Sequence, residues 1–299
     1  MFPSHDRGFG TILYGDGPSS TRIIGTHTAT AVIRFLARYS GAKHMGISSS
    51  GDRSTTTNTT GFGIQWECAD EVDSTNIRSF ICFAENVVVD DQPGTGFYWV
   101  GPATQGSVMQ SCLSNANRGH GYAYDRGILS GRVNTALVSG CMTIDTCLFY
   151  NNLGHAAACG APTDNFTTPS TRIVFDNCEL AGNATDALVR YEDAEVYIRG
   201  TNCEIRASVF SGGGLIGGVW ISGRNHWIRN NRYLDCTYAV TCGNYPELPT
   251  QGINIEGMTV IQTSTPDMDP AVVVEAGCSN IRVLNAQPSF IDKIITSGS

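Results

Sequence analysis

Charged residues are scarce in this sequence, and several other common features are absent. Asp, Glu, Lys and Arg make up 15% of the 299 residues, and the formal net charge is −8. An acidic chain without clusters of Lys and Arg is not expected to bind nucleic acid. No apolar run approaches the ~18 residues of a membrane-spanning helix, so we expect no membrane insertion. The sequence has no basic segment followed by an apolar stretch, so we expect no signal peptide.

Zinc-binding and disulfide spacings are also absent, although the chain has eleven cysteines. No CxxC pair occurs, so we predict no structural zinc site, and we assign no residue to a metal site. An odd number of cysteines, several of them at strand-like apolar positions, indicates free thiols in a core that forms in a reducing cytoplasm. The residues expected to be buried and reduced are Cys112, Cys147, Cys178 and Cys203.

What the sequence does contain is a repeat, which is clearest in residues 171–192. Three short extended runs there alternate apolar and polar residues, as strands with one buried face do. Turn-forming residues separate the runs. The pair Cys178/Asn183 has counterparts at Ile81/Asn86, Cys112/Asn117, Cys147/Asn152, Cys203/Ser208, Arg232/Thr237, Thr259/Ser264 and Gln287/Asp292. The steps of 25–35 residues between these pairs are typical of a solenoid with one group of strands per turn.

A third extended run follows each Asn position, for example in residues 96–100 and 119–124. The repeat resembles the right-handed parallel β-helix of the pectate lyase superfamily, in which asparagines stack as a ladder. The resemblance implies an all-β fold of about nine to ten rungs with three strands each. The ladder would consist of Asn86, Asn117, Asn152 and Asn183. We expect one domain over residues 1–299, with an irregular first rung over 1–40 that leaves open a missing upstream segment.

This architecture supports lyases, hydrolases, epimerases and phage tailspikes, so the fold alone does not decide the activity. The acidic charge, the lack of a signal peptide and the unpaired cysteines look like those of bacteriophage tailspikes or polysaccharide depolymerases. The resemblance implies a protein of the virion tail, made in a reducing host cytoplasm, that binds and cleaves bacterial surface polysaccharide. Endo-glycosidase action is favoured over lyase action. The alternatives are a non-catalytic carbohydrate-binding or structural virion protein and a free-standing polysaccharide lyase or epimerase.

Candidate catalytic residues come from columns of outward-facing side chains on successive rungs. The repeat places Asp145 and Asp176 about 5 Å apart on adjacent rungs, followed by Arg199. Two carboxylates at ~5–5.5 Å suit the acid and nucleophile of a retaining glycosidase, which requires no cofactor. In a lyase they could instead hold Ca²⁺ that acidifies a uronate, with Arg199 as the base. The alternative without function is that these residues only form turns.

A second candidate pair is Asp125 and Glu192, two rungs and about 10 Å apart. This separation is close to the ~6.5–9.5 Å range of inverting glycosidases. His120 and His155 occupy equivalent places on adjacent rungs. They could form a metal or acid–base group, or they could simply be polar residues at the start of a strand.

The third runs also align three large aromatic residues. If they face outward, they form a strip for stacking sugars or for a subunit interface, and if they face inward they belong to the core. The predicted substrate-binding residues are Trp66, Trp99, Tyr124, Arg126 and Arg229. The open ends of a β-helix and this aromatic strip lead us to expect a homotrimer.

Overall fold

The computed structural model describes residues 10–26, 30–35, 39–50, 61–67, 81–100, 106–125, 142–159, 170–185, 194–212, 216–244, 249–263, 271–285 and 294–296. Every regular element within these ranges is a β-strand, and the sheets are parallel. None of the described elements is a long apolar helix of the kind that crosses a membrane.

The strands form three strips that run along the solenoid. The first strip contains β1 (Ile12–Tyr14), the first halves of β4 (Gly41–Ser49) and β6 (Phe83–Asp90), β8 (Val108–Gln110), β11 (Met142–Asp145), β15 (Ile173–Asp176), β18 (Glu204–Arg206), β21 (Trp227–Arg229), β24 (Asn254–Glu256) and β27 (Arg282–Leu284). The second strip contains β2 (Arg22–Gly25), the second halves of β4 and β6, β9 (Leu113–Asn115), β12 (Leu148–Tyr150), β16 (Glu179–Ala181), β19 (Val209–Ser211), β22 (Arg232–Leu234) and β25 (Thr259–Ile261).

The third strip contains β3 (Ile33–Phe35), β5 (Ile64–Glu67), β7 (Phe97–Val100), β10 (Tyr122–Asp125), β13 (Ala157–Cys159), β17 (Ala194–Thr201), β20 (Gly217–Arg224), β23 (Val240–Cys242), β26 (Val272–Val274) and β28 (Ile294–Thr296), with β14 (Ser170–Thr171) paired to the end of β17. Because β4 and β6 continue through the corner between the first two strips, those strips form one 17-stranded sheet, and the third strip belongs to an 11-stranded sheet. The predicted parallel β-helix is therefore confirmed.

The aromatic residues of the third strip lie in the core, so their predicted role in substrate binding is wrong. Trp66 pairs with Trp99, and Trp99 pairs with Tyr124. These side chains are 0%, 0% and 2% exposed, and the two indole rings stack with their centroids 3.8 Å apart. Burying such rings removes a large apolar area from water. The aromatic strip stabilises the solenoid from inside and no longer supports an outer subunit interface.

The asparagine ladder is confirmed at Asn117, Asn152 and Asn183. The side-chain amide of Asn117 donates to the Oδ1 of Asn152 over 2.8 Å, and that of Asn152 donates to the Oδ1 of Asn183 over 2.7 Å. All three side chains are fully buried. The ladder ends at Glu195, which accepts the amide of Asn183 at 2.6 Å.

The fourth predicted member of the ladder, Asn86, does not belong to it. Asn86 lies inside β6 at φ 49°, and its side-chain amide contacts His44 Nδ1 at 2.9 Å. Gln92 takes the expected place, because its backbone N–H donates to the Oδ1 of Asn117 over 2.9 Å. The spacing misled the prediction because β6 passes through the first corner without a break.

The described cysteines are free, and eight of these nine are buried. Cys112, Cys147 and Cys178 form one inward column, because the residues that follow them pair in register. Cys203 is buried as predicted but precedes β18, so it belongs to a different corner. Burial raises the pKa of the Cys178 and Cys203 thiols to about 12, which keeps both as neutral thiols at neutral pH.

Polar side chains cap the corners from the next rung. The Oγ of Ser208 accepts the backbone N–H of Cys178 at 3.1 Å, and the Nδ1 of His226 accepts that of Cys203 at 3.2 Å. The Oδ1 of Asn231 accepts the N–H of Ser208 at 2.9 Å. An unpaired buried N–H is costly, so each cap also locks one rung to the next.

Candidate functional site

One outward column of the first strip contains seven charged residues. It consists of the last residue of each short strand and the residues of β4 and β6 that pair with it. We call it the charged column: Tyr14, Lys43, Glu85, Gln110, Asp145, Asp176, Arg206, Arg229, Glu256 and Leu284.

A left-handed corner fixes the direction of the charged column. From the second rung onward, the residue after each position of the charged column has positive φ, for example 53° at Thr146, 52° at Asn177 and 51° at Ala207. The chain therefore turns at the same point of every rung, and the side chain before the turn faces outward. Asn and Gly suit such corners, whereas Thr146 and Ala207 are held there by the packing of neighbouring rungs.

Asp145 and Asp176 are direct neighbours in the charged column, as the repeat predicted. They pair in register on adjacent parallel strands, which lie about 4.8 Å apart. Both are half-buried. Asp145 accepts hydrogen bonds from the side-chain amide of Gln110 at 3.1 Å and from the hydroxyl of Thr146 at 2.9 Å. The arrangement brings two carboxylates together at the surface with polar donors around one of them.

Arg199 does not stand beside this pair, and its predicted place is wrong. Arg199 lies in β17 of the third strip, where it pairs with Ser222 and is 5% exposed. The neighbour of Asp176 is Arg206, whose NH2 group lies 2.6 Å from Asp176 Oδ2. The prediction failed because it assigned Cys203 to the Cys178 column, which displaced the following strand. The ion pair raises the pKa of the Arg206 guanidinium, mainly through the hydrogen bond to Asp176.

Arg206 begins a network that runs downstream. Its NH1 group lies 3.4 Å from Glu204 Oε1, which also accepts the Nε of Arg229 at 2.8 Å. The Arg229 guanidinium in turn lies 5.4 Å from the ring centroid of Trp227, a residue that is 41% exposed. Arg229 was predicted to bind substrate, and it occupies the same face as Asp176. Arg206 and Trp227 were missed, although correct alignment of the Cys178 column with Ser208 would have found Arg206.

Three further predicted residues cannot be placed at the site. Asp125 ends β10, where its backbone pairs with Val100, but its side chain is outside the described residues. Arg126 and Glu192 also lie outside them. The second candidate pair, Asp125 and Glu192, therefore stays a prediction.

His120 and His155 do stack on adjacent rungs, with ring centroids 5.4 Å apart and an interplanar angle of 5°. The Nδ1 of His120 accepts the backbone N–H of His155 at 3.1 Å, and the Nδ1 of His155 lies 2.6 Å from the carbonyl of Ala194. Burial, followed by the charge of His155, lowers the pKa of His120 to about 3. The His120 ring is therefore neutral near pH 7. Its hydrogen bonds tie rungs together and do not place it as a proton donor.

The charged column does not fit a calcium ion. Ca²⁺ requires about six to eight oxygen ligands, whereas Asp176 already holds the guanidinium of Arg206 at 2.6 Å. A cation at Asp145 and Asp176 would have to displace this arginine. In the described part of the chain, no three His, Cys, Asp or Glu side chains group as metal ligands. Two neighbouring carboxylates of this kind can act as an acid, a base or a nucleophile.

No family model and no curated protein sequence matches this chain. Its structure is similar to the A-module of mannuronan C-5 epimerase AlgE4 from Azotobacter vinelandii, with a TM-score of 0.59, 13% identity and coverage of 96% of this chain and 81% of the module. It is also similar to the enzymatically active domain of tailspike protein 2 from bacteriophage CBA120, with a TM-score of 0.56, 11% identity and coverage of 90% and 43%.

The chain thus spans less than half of that tailspike domain, and 39% of the full-length tailspike. Identities of 11–13% establish the shared fold and nothing finer. They confirm the parallel β-helix that the repeat of the sequence resembles.

Proposed function

We propose that this protein binds a bacterial surface polysaccharide along the charged column and cleaves it with Asp145 and Asp176. The observation that carries the proposal is the pairing of these carboxylates in register on one outward face. The fold is shared with a mannuronan C-5 epimerase module and with an enzymatically active phage tailspike domain. This likeness supports a carbohydrate-active enzyme and a place at a virion tail.

The contacts of the two carboxylates suggest different roles. Arg206 donates to Asp176, and a guanidinium stabilises the negative charge that a nucleophile needs. Asp145 receives only neutral donors among the described residues, Gln110 and Thr146. In the proposed reaction Asp176 attacks the anomeric carbon while Asp145 gives its proton to the leaving oxygen. Water, deprotonated by Asp145, then releases Asp176. A spacing near one strand separation matches the ~5–5.5 Å of retaining glycosidases.

A second candidate reaction is modification of a uronate polymer by proton abstraction at C-5, leading to elimination or epimerisation. Arg206 favours it, because a guanidinium beside the acid pair would neutralise a uronate carboxylate. The third possibility is a virion protein that binds glycan without chemistry. In that case the two carboxylates only form hydrogen bonds with the polymer.

The deciding experiment uses the purified chain with capsular polysaccharides and with mannuronan. New reducing ends report hydrolysis, absorbance of an unsaturated uronate reports elimination, and exchange of the C-5 proton with deuterated water reports epimerisation. Asp176→Asn should abolish the signal. Asp90→Asn is the matched control, because Asp90 forms a similar ion pair with Arg22 on the second strip. If the protein binds a glycan but gives none of the three signals, it is a non-catalytic binding protein and the proposal is contradicted.

We also propose that the protein assembles as a homotrimer. The aromatic strip no longer supports this, but the first rung exposes Ile12, Tyr14 and Ile24, which are 54%, 69% and 59% exposed. Exposed apolar side chains on strands at the end of a sheet favour association. Light scattering at micromolar concentration should give three times the 32.0 kDa chain mass. A monomer mass would reject the trimer for this chain.

A further inference from the structure

A polar cleft lies beside the downstream part of the charged column. It has a volume of about 350 Å³ and is lined by Asn225, Trp227, Gly252, Asn254, Asn280 and Arg282. Trp227, Asn254 and Arg282 begin three neighbouring strands of the first strip and pair in register. The other three residues lie two positions earlier, at the preceding corner. A volume of this size is within the ~300–1,000 Å³ typical of small-molecule sites.

Trp227 gives the cleft an aromatic wall. The chain has four tryptophans. Trp66, Trp99 and Trp220 are at most 2% exposed, whereas Trp227 is 41% exposed. The ring is supported by Arg229, which does not line the cleft and is itself held by Glu204. A rigid indole with an open surface is suited to stacking against the apolar face of a sugar ring.

Three asparagine amides face the same opening. Asn225, Asn254 and Asn280 line the cleft, and none of their side chains has a hydrogen-bond partner among the described residues. Each amide both donates and accepts, as recognition of sugar hydroxyls requires. Gly252 keeps the space between them open, because a Cβ there would lie 2.9 Å from Asn225 Oδ1.

The charge of the cleft is positive. Arg282 is exposed, and no carboxylate is paired with it in the described part of the chain. The nearby charge of Arg229 is already offset by Glu204. A lone guanidinium in a protein of net charge −8 favours a ligand that brings its own carboxylate.

We propose that this cleft is a subsite for one acidic pyranose unit. Trp227 stacks on the ring, the three asparagines bind hydroxyls and Arg282 binds the carboxylate. The proposal rests on the proposed function, since it names the kind of sugar that this face takes. Trp227 pairs with Glu204, which follows the Asp176 strand. Two strand spacings, roughly 10 Å, therefore separate the cleft from Asp176, a distance that a short run of linked sugars spans.

The test uses Trp227 as its own reporter. Iodide should quench the fluorescence of this exposed indole and leave the three buried ones largely unaffected. Oligosaccharides of mannuronate, galacturonate and glucuronate are the probes, each compared with its carboxyl-reduced form. At least one acidic probe should protect Trp227 from iodide and bind about tenfold more tightly than its reduced form. Equal protection by both forms, or no protection by any probe, would overturn the proposal.

Substitutions of single residues test whether the probe binds in this cleft. Trp227→Ala, read by calorimetry, and Arg282→Gln should each weaken binding of the protecting probe about tenfold or more. Gly252→Asn should also weaken it, because Asn tolerates the positive φ of 71° there and would fill the cleft. Arg232→Gln is the matched control, because Arg232 is exposed on the second strip and does not line the cleft. Unchanged binding by Arg282→Gln would refute an acid-specific subsite.

Asp176→Asn separates this proposal from the proposed function. The variant should lose glycan conversion but keep protection of Trp227. Conversion of a glycan by the unmodified chain without protection of Trp227 would reject the subsite and leave the enzyme. Protection without conversion by the unmodified chain would reject the enzyme and leave the subsite.

Discussion

Two adjacent parts of the charged column share strand geometry and register but carry opposite charges. Upstream, the charged column carries Asp145 and Asp176, and downstream it carries Arg206 and Arg229. The backbone requires only inward apolar columns and left-handed corners. The outward column is free to vary, so its change from carboxylates to guanidinium groups is informative about the ligand.

The hydrogen bonds inside the corners also differ between the upstream and downstream parts of the chain. Upstream, the ladder of Asn117, Asn152 and Asn183 forms a continuous line of hydrogen bonds. Downstream, separate caps such as His226 and Asn231 each serve one corner. A continuous ladder couples several rungs, whereas a cap couples two, so we expect the upstream half to respond more strongly to a single deletion.

The largest expected effect is on the reaction at the acidic half. Asp145→Asn and Asp176→Asn should each lower turnover by about a thousandfold or more, which is about 4 kcal/mol in the barrier. The double variant should lose little more, because an acid and a nucleophile act as one unit. Turnover measured at saturating glycan checks this. Losses that simply multiply in the double variant would contradict a joint role.

The next effect compares the ladder with a cap. Asn152→Ala should lower the free energy of unfolding by about 3 kcal/mol, since buried donors of Asn117 lose their acceptor. Asn231→Ala should cost about 2 kcal/mol, since it frees one N–H and one carbonyl. Urea unfolding of both variants provides the comparison. Equal losses would show that the ladder is no more cooperative than isolated caps.

Glu195, where the ladder ends, makes stability depend on pH. Burial raises its pKa to about 7 from an ordinary value of 4.5. The folded protein keeps this proton up to about pH 7, whereas the unfolded chain releases it near pH 4.5. Raising the pH through this window therefore lowers the free energy of unfolding, by at most about 3 kcal/mol. Relative to the unmodified chain, Glu195→Gln should remove this loss, as urea unfolding at several pH values would show.

His226, further downstream, gives the free energy of unfolding the opposite dependence on pH. Burial lowers its pKa to about 4 from 6.5, and its Nδ1 accepts the N–H of Cys203. The unfolded chain takes up a proton near pH 6.5 and the folded chain only near pH 4. Lowering the pH through this window therefore lowers the free energy of unfolding, by at most about 3 kcal/mol. His226→Asn should reduce that acid sensitivity, and an unchanged acid limb of the urea series would contradict this assignment.

Sequence reasoning found the fold because the repeat is a property of inward columns and corners. The spacing of Asn117, Asn152 and Asn183 could be predicted, since each amide needs the next one in register. The prediction from sequence was wrong where a buried column changes from one residue type to another. Ser208 replaces cysteine and Gln92 replaces asparagine, so a pattern of fixed residues chose Cys203 and Asn86 in their place.

The site was only partly predictable for a related reason. Asp145 and Asp176 lie within the regular part of the repeat, so their pairing was found. Arg206 and Trp227 lie beyond it, where a shift of a few residues moves a side chain to another strip. Trp66 and Trp99 were placed correctly along the chain, but their side chains were not assigned to the core. Alternation is ambiguous at Trp99, which lies between Tyr98 and Val100, whereas the polar neighbours of Trp66 do indicate an inward side chain.

The smallest expected effect separates function from stability at the surface. Arg206 and Arg22 each form an ion pair at the surface, with Asp176 on the neighbouring strand and with Asp90 two strands away. Such pairs contribute about 0–1 kcal/mol, so Arg206→Gln and Arg22→Gln should change the urea midpoint only slightly and by similar amounts. Arg206→Gln alone should also lower turnover, because it removes the charge that supports Asp176. Equal turnover in the two variants would reduce Arg206 to a surface ion pair and remove the contrast between the two halves of the charged column.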